Sequence, residues 1–455
     1  MKLKYFVPFL MTVLPLQSIL AKGLGKDSLQ INTMSIGNEV YNAVVDAGGN
    51  GDYKTIQDAI SAAPTGRTAP WLIFVKSGDY NEVVVVPQEK TFIYLIGQDK
   101  TNTIIHYKLN VQSQPKADSK WYQNDTAAWK YSVHNPESNV YKAPGEVVTI
   151  NAADFYAENI SFVNDWGVES QNGPQALALS TQADRIAFNN CIFRSFQDTW
   201  MTSTRNGLNN RLYVNNCWIE GAVDYFYGGG NAYVEKSTFY NVRSGSVIVA
   251  PSHKEGTQWG YVFDHCTIDG NAAAADGKLK MGRPWHDRPI AVYLNTIMKI
   301  PVSKEGWTDM GAIPAIFTDY KSVDAQGNPV STSERKTVFK DRNTQKDGTS
   351  KAVLTDAEAA KYTYSNVLSG LDNWNPRTLI AQNSQPFPIK FSSENLSWRA
   401  VDNAAGYIVY KNNQVIGFTK ATSFPVNKKD KGSYSVQRVN KFGSLGAHST
   451  ELKVS

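Results

Sequence analysis

The sequence predicts an all-β protein: a parallel β-helix followed by a small C-terminal β-sandwich module. Three observations predict it. Short strand-like runs recur at 147–150, 155–162, 187–193, 213–219, 233–239 and 261–268, with no helical period between them. Small residues punctuate these runs: Asn159, Cys191, Cys217, Ser237 and Cys266 lie 32, 26, 20 and 29 residues apart. Repeats of this length, each built of β-type runs, stack as a coil with loops of variable size. Beyond residue 388 the pattern changes to alternating apolar and polar residues, the mark of strands with one face in a core. A β-sandwich is the alternative for the first region, but it would show hairpin turns at shorter, more even spacing.

The N-terminus comes first. Lys2 and Lys4 precede an apolar run over 5–20, and Ala21 is a small residue suited to cleavage. Residues 1–21 therefore read as a secretory signal peptide, and the mature chain as secreted or periplasmic with no membrane span. A membrane anchor is the competing reading, but the run is short and broken by Pro8 and Pro15. Next, Ile56, Ala59, Ile60 and Ala63 line one face of a helix over 55–63, ended by Pro64. Residues 71–76 read as a buried strand, 77–80 as a turn, 82–87 as a strand, and 92–96 as an apolar run closed by Gly97.

Residues 107–146 are polar with scattered aromatics, Trp121, Tyr122, Trp129, Tyr131 and Tyr141. They read as a long excursion over the binding face. After the repeats, 321–351 reads as loop. A helix starts near Leu354, where Thr355 and Glu358 form a capping box. Residues 372–376 read as a turn, since the residue before Pro376 is biased away from helix. Residues 384–388 read as a linker.

Strands at 396–398, 406–411, 414–419 and 434–439, with Asn412-Asn413 as a turn, complete a module that resembles fibronectin type III. The expected division is 1–21 signal peptide, 40–383 β-helix and 388–455 module.

Composition narrows the partners. The 455 residues are 42% hydrophobic and 19% charged, which is globular. The formal charge of +5 is mild, and no Lys/Arg cluster suggests nucleic acid. The three cysteines sit in repeat positions and read as stacked core thiols; a Cys191–Cys217 bridge stays open. No spacing of Cys or His points to a metal.

The stretch 188–230 carries the chemistry. Phe188-Asn189-Asn190-Cys191-Ile192-Phe193 is answered by Val214-Asn215-Asn216-Cys217-Trp218-Ile219. Seven residues after each Cys stands an aspartate, Asp198 and Asp224. On neighbouring turns the two would lie about 4.8 Å apart in strand spacing. Carboxylates that close do not both ionise easily, so one keeps its proton. Gln197, Gln175 and Arg283 lie in the adjoining units. Each alone has an ordinary structural explanation; the equal offset of the two aspartates is what points to catalysis.

These residues fall in recognisable motifs. Gly78-Asp79-Tyr80-Asn81-Glu82, Gln175 to Leu179, Gln197-Asp198-Thr199, Gly221 to Gly228 and Gly282-Arg283-Pro284-Trp285 stand in the order seen in pectin methylesterases, which the chain resembles from about Val44 to Pro376. The resemblance implies a right-handed β-helix that hydrolyses C6 methyl esters of pectin, a methyl-esterified homogalacturonan. It implies Asp224 as nucleophile, Arg283 as its partner, Asp198 as acid and then base, and Gln197 and Gln175 as oxyanion donors. Trp285, Tyr227, Val223 and Tyr225 would contact sugar, with Tyr225 alternatively in the core. No metal or organic cofactor is implied, and a monomer is expected. The chain departs from the family in Tyr225-Phe226-Tyr227, where Phe-Ile-Phe is usual, and in Met281, where Leu is usual. Other readings remain: a β-helix lyase or glycoside hydrolase, an esterase or thioesterase on another substrate, or a non-catalytic polysaccharide-binding β-helix.

Overall fold

Three parallel sheets run the length of a coil in the computed structural model, which describes residues 40–112, 145–204, 206–382 and 385–455. One sheet has ten strands, from Ala43–Val45 to Ile316–Tyr320; a second has nine, from Gly78–Asn81 to Val323–Asp324; the third has eight, from Val84–Val86 to Lys280–Gly282 with His286–Asp287 alongside. The chain visits the three in turn, so each circuit contributes one strand to each sheet. This is the parallel β-helix that the repeats predict, with the right hand that the family resemblance implies.

The corner between the ten-strand and nine-strand sheets explains the repeated Asn-Cys unit. Asn159, Asn190, Asn216, Lys236, His265, Asn295 and Lys321 all take positive φ there, between 51° and 57°. Asn tolerates this left-handed conformation best among residues with a side chain. The asparagines also bond along the stack, Asn190 Nδ2 to Asn159 Oδ1 at 2.6 Å and Asn216 Nδ2 to Asn190 Oδ1 at 3.1 Å. The residue after each corner points inward, which is why it is small or apolar. Cys191, Cys217 and Cys266 are free, buried thiols; the Cys191 N–H donates to Cys217 Sγ, and no bridge joins them.

The spacings of 26, 20 and 29 are the registers between turns, with Ile192 opposite Trp218, Trp218 opposite Thr238, and Thr238 opposite Thr267. The expected 32 is corrected to 31, because Ile192 faces Ser161 and Asn159 therefore stacks on Asn190 rather than on Cys191.

Inside the coil, aromatics pack continuously. Phe162 stacks on Phe193 at 5.2 Å and 11°, and Phe188, Trp200, Phe226, Phe239 and Phe263 continue the column. Each such ring contributes about 1.5–3 kcal/mol by burial. The helix Ile56–Ala62 closes one end, burying Ile56, Ala59 and Ile60, with Thr55 Oγ1 accepting from the Asp58 N–H. The capping box of Thr355 and Glu358 is present on the helix Asp356–Ala359.

Four local expectations are corrected. Residues 77–80 are not a turn: Gly78–Asn81 is a strand paired with Thr103–Tyr107, a strand also unanticipated, and tertiary pairing overrides the turn-like Gly-Asp. The strand expected at 82–87 shortens to Val84–Val86. A short helix, Asp165–Ser170, capped by Asn164, interrupts the expected helix-free region. The loop 321–351 contains the hairpin Val338–Lys340 with Asp347–Thr349, which buries Phe339 in the end of the coil. The excursion over 107–146 narrows at both ends, since Thr103–Tyr107 and Glu146–Ile150 are strands; its centre and the expected signal peptide at 1–21 lie outside the described residues.

Beyond the coil stand two antiparallel sheets. One has Ile389–Ser392, Asn395–Trp398 and Ser423–Pro425; the other has Gln414–Thr419, Gly406–Lys411, Gly432–Val439, Leu445–His448 and Leu452–Val454. Asn412 and Asn413, with φ of 49° and 65°, form the expected turn. The second of these, the five-strand sheet, packs on the outer face of the ten-strand sheet. Tyr41, Phe74 and Phe418 form an aromatic triangle with centroids 5.1–5.6 Å apart. The buried Glu158 accepts from Ser444 Oγ at 2.5 Å, from the Leu445 N–H at 3.1 Å and from Tyr156 Oη. The sheets are thus docked on the coil rather than tethered to it. Among the described residues no helix is long and apolar enough to cross a membrane.

Candidate active site

Asp198 and Asp224 occupy matching places on adjacent turns. Gln197 pairs with Val223 and Trp200 with Phe226, so Asp198 falls opposite Asp224, and the Asp198 N–H donates to Val223 O at 2.9 Å. Both take positive φ, 61° and 49°. Such strain in residues with side chains gathers at functional sites. Around Asp224 the strand is bulged: Val223 to Phe226 on one side faces Val247 to Val249 on the other. A bulge re-aims side chains.

That bulge corrects one expected contact. Tyr225 does not face the cleft. It is 0% exposed and its hydroxyl meets Asn241 Oδ1 at 3.1 Å inside the coil, because the extra residue turns both Tyr225 and Phe226 inward. Tyr227 remains outside. It packs with Leu177 and Ala250, and Trp285 meets it edge-on at 5.6 Å. Val223 is half-buried beside Gln197.

Arg283 grips Asp224 with two bonds, Nε to Oδ1 at 2.8 Å and Nη2 to Oδ2 at 2.6 Å. The Asp224 side chain is 7% exposed and that of Arg283 28%. The strand Lys280–Gly282 delivers the arginine, and the Arg283 N–H donates to Val249 O. The hydrogen bond to Asp224 raises the pKa of Arg283. Asp198 differs. Burial, and then the charge of Asp224, push its carboxyl well above the ordinary 3.8, against the pull of Arg283. The two carboxyls thus stand in unequal surroundings: Arg283 bonds to Asp224 and not to Asp198.

Gln197 and Gln175 border the pair. The Ala176 N–H donates to Gln197 O at 3.1 Å, and Gln197 Oε1 lies against Gly173, where a Cβ would come within 3.1 Å. Both glutamines are half-buried, and among the described residues neither carboxamide is tied up by a hydrogen bond. All five expected catalytic positions, Asp198, Asp224, Gln197, Gln175 and Arg283, thus fall on one face of the eight-strand sheet or its margin.

One residue escaped the sequence reading. Glu146 faces Leu177, and Leu179 faces Trp200, so Glu146, Leu177, Asp198 and Asp224 form one row across four turns. Burial raises the Glu146 carboxyl, offset by the N–H groups of Glu146 and Gly145. The Tyr227 hydroxyl is buried among these acids; after burial itself, the charges of Asp198 and Glu146 do most to raise it. Glu146 follows a polar segment with no period, so nothing in the sequence marks it.

The Pectinesterase family profile matches residues 42–130 and 135–370. Pectinesterase 31 of Arabidopsis thaliana is 32% identical over 267 residues, covering 58% of this chain and 75% of that one. The solved pectin methylesterase from carrot superposes with a TM-score of 0.59 at 24% identity, over 75% of this chain and 97% of that one. A pectin methylesterase solved in complex with a hexasaccharide gives a TM-score of 0.54 at 25% identity, over 74% of this chain and 98% of that one. With the profile spanning the coil and the carboxyl pair on its eight-strand sheet, the chain belongs to the pectinesterase family.

Proposed function

We propose that the chain is a pectin methylesterase that hydrolyses C6 methyl esters of polygalacturonan through an acyl-enzyme on Asp224. The observation that carries this reading is the unequal pair: Asp224 gripped by two bonds from Arg283, and Asp198 opposite it with its carboxyl pushed well above the ordinary value. The Asp224 carboxylate attacks the ester carbonyl. Gln197 and Gln175 donate N–H groups to the oxyanion. The bond to methoxide breaks as Asp198 gives up its proton, and methanol leaves. Asp198, now a carboxylate, takes a proton from water. The resulting hydroxide attacks the acyl carbon, Asp224 departs as carboxylate, and the galacturonic acid formed ionises in solvent. Trp285 and Tyr227 form the wall on which a sugar ring rests. Glu146, in the same row, faces the neighbouring galacturonate and disfavours a free carboxylate there.

The family match supports the substrate, as does the hexasaccharide complex of a relative. A lyase or glycoside hydrolase would shorten the polymer. Methanol release without chain shortening or new unsaturated ends supports the esterase; chain cleavage by pure protein overturns it. We further read 1–21 as a signal peptide that directs export, 40–383 as the catalytic β-helix, and 388–455 as a fibronectin type III-like module. Two antiparallel sheets sharing the core of Leu396, Trp398, Tyr407, Tyr434 and Val436 support the module.

A further inference from the structure

The mild positive charge of the chain is not spread evenly. Residues 388–455 contain ten Lys or Arg against four Asp or Glu, a balance of +6. The whole chain has 46 against 41, which leaves 36 against 37, or −1, for everything else. Part of this charge is internally matched. Arg438 donates to the carbonyls of Asp402 and Gln382, and Lys411 pairs with Asp430. Lys428, Lys429 and Lys453 are exposed instead, and they line one groove of about 680 Å³ with Asn427, Glu394 and the ring of Phe391. Glu394 is the one acidic side chain on that lining. Phe391 is half-buried, so its ring adds an apolar surface to the groove the lysines line.

We propose that this groove binds de-esterified polygalacturonate, the polyanionic product; the proposal rests on the esterase reading above. Each methanol released leaves one carboxylate on the polymer, so the reaction itself creates the ligand that three lysines attract. An apolar face of a sugar ring fits against Phe391. The catalytic cleft is poorly suited to hold the same polyanion, since Asp198, Asp224 and Glu146 confront it with a single arginine. The module is mounted on the ten-strand sheet, whereas the carboxyl pair stands on the eight-strand sheet. One polymer engaged at both places would raise the effective concentration of unreacted esters at the cleft. The competing reading is that the lysines only guard exposed strand edges such as Ile389–Ser392.

The test compares full-length protein with the Lys428→Ala/Lys429→Ala/Lys453→Ala variant on immobilised polygalacturonate, highly methyl-esterified pectin and phosphatidylglycerol vesicles. The expected result is tighter retention on polygalacturonate than on esterified pectin, weakened by salt. The variant loses about tenfold in that affinity. Its methanol release from a short methyl-esterified oligogalacturonide is unchanged. Unaltered affinity of the variant overturns the proposal, as does a variant that loses only solubility. Lysine-dependent binding to vesicles without binding to polygalacturonate overturns it in favour of a membrane surface. Failure of the wild type to release methanol would sink the esterase reading alone, because polygalacturonate retention is read separately.

Discussion

Asp198 stands opposite Asp224 on adjacent turns, yet Arg283 closes its two-bond grip on Asp224. Two chemically identical side chains, both in left-handed backbone conformations, are thereby given unequal surroundings, and burial with the neighbouring Asp224 pushes the Asp198 carboxyl up. The β-helix supplies the proximity, and the arginine on the strand two turns further along supplies the asymmetry.

Asp198→Asn should test the acid role and its thermodynamic cost together. Methanol release is expected to fall by roughly 10²–10⁴-fold. The folded-state pKa of Asp198 is raised, so its contribution to stability is fully present below the ordinary 3.8 and is lost as pH rises through the elevated value. Asn has no such dependence. The melting temperature of the variant should therefore gain on the wild type as pH rises. Parallel curves of melting temperature against pH would contradict the assignment.

Glu146→Gln should change which pectin is preferred. The wild type should discriminate against partly de-esterified pectin, increasingly so as pH rises and the raised Glu146 carboxyl ionises. The variant is expected to gain about threefold or more in kcat/KM on half-esterified pectin relative to fully esterified pectin. An identical ratio for both proteins across pH would remove Glu146 from the cleft's specificity.

Glu158→Ala should loosen the C-terminal sheets from the coil. It strands the Ser444 and Tyr156 hydroxyls and the Leu445 N–H in a buried contact. The expected cost is about 1–3 kcal/mol, seen as a lower melting temperature with activity per folded molecule retained. An unchanged melting temperature would mean that the apolar contacts of Phe418 with Tyr41 and Phe74 hold the junction by themselves.

The relation between the aspartates was legible because an Asn-Asn-Cys unit fixes the corner of both their turns, and seven residues from that corner lead to the same place on the next sheet. The strand Gly78–Asn81 was not legible, because only its pairing with Thr103–Tyr107 makes a Gly-Asp pair extended. For Tyr225 the sequence offered both sugar contact and core, and the core is where the bulge against Val247–His253 puts it. The docking of the C-terminal sheets had a signal that went unread. Tyr94, Tyr156, Ala187, Tyr213 and Tyr233 form an apolar row on the outer face of the ten-strand sheet, its Tyr94–Tyr156 end covered by the C-terminal sheets and its Tyr213–Tyr233 end by Tyr364 of the helix Tyr364–Leu368. A sheet apolar on both faces is covered on both.

The most direct test of the central claim is methanol release from pectin by Asp224→Asn. The substitution keeps shape and removes the ionised oxygen that Arg283 holds. Release should fall by roughly 10³-fold or more, with pectin binding retained. Release within tenfold of the wild type would show that Asp224 is not the nucleophile.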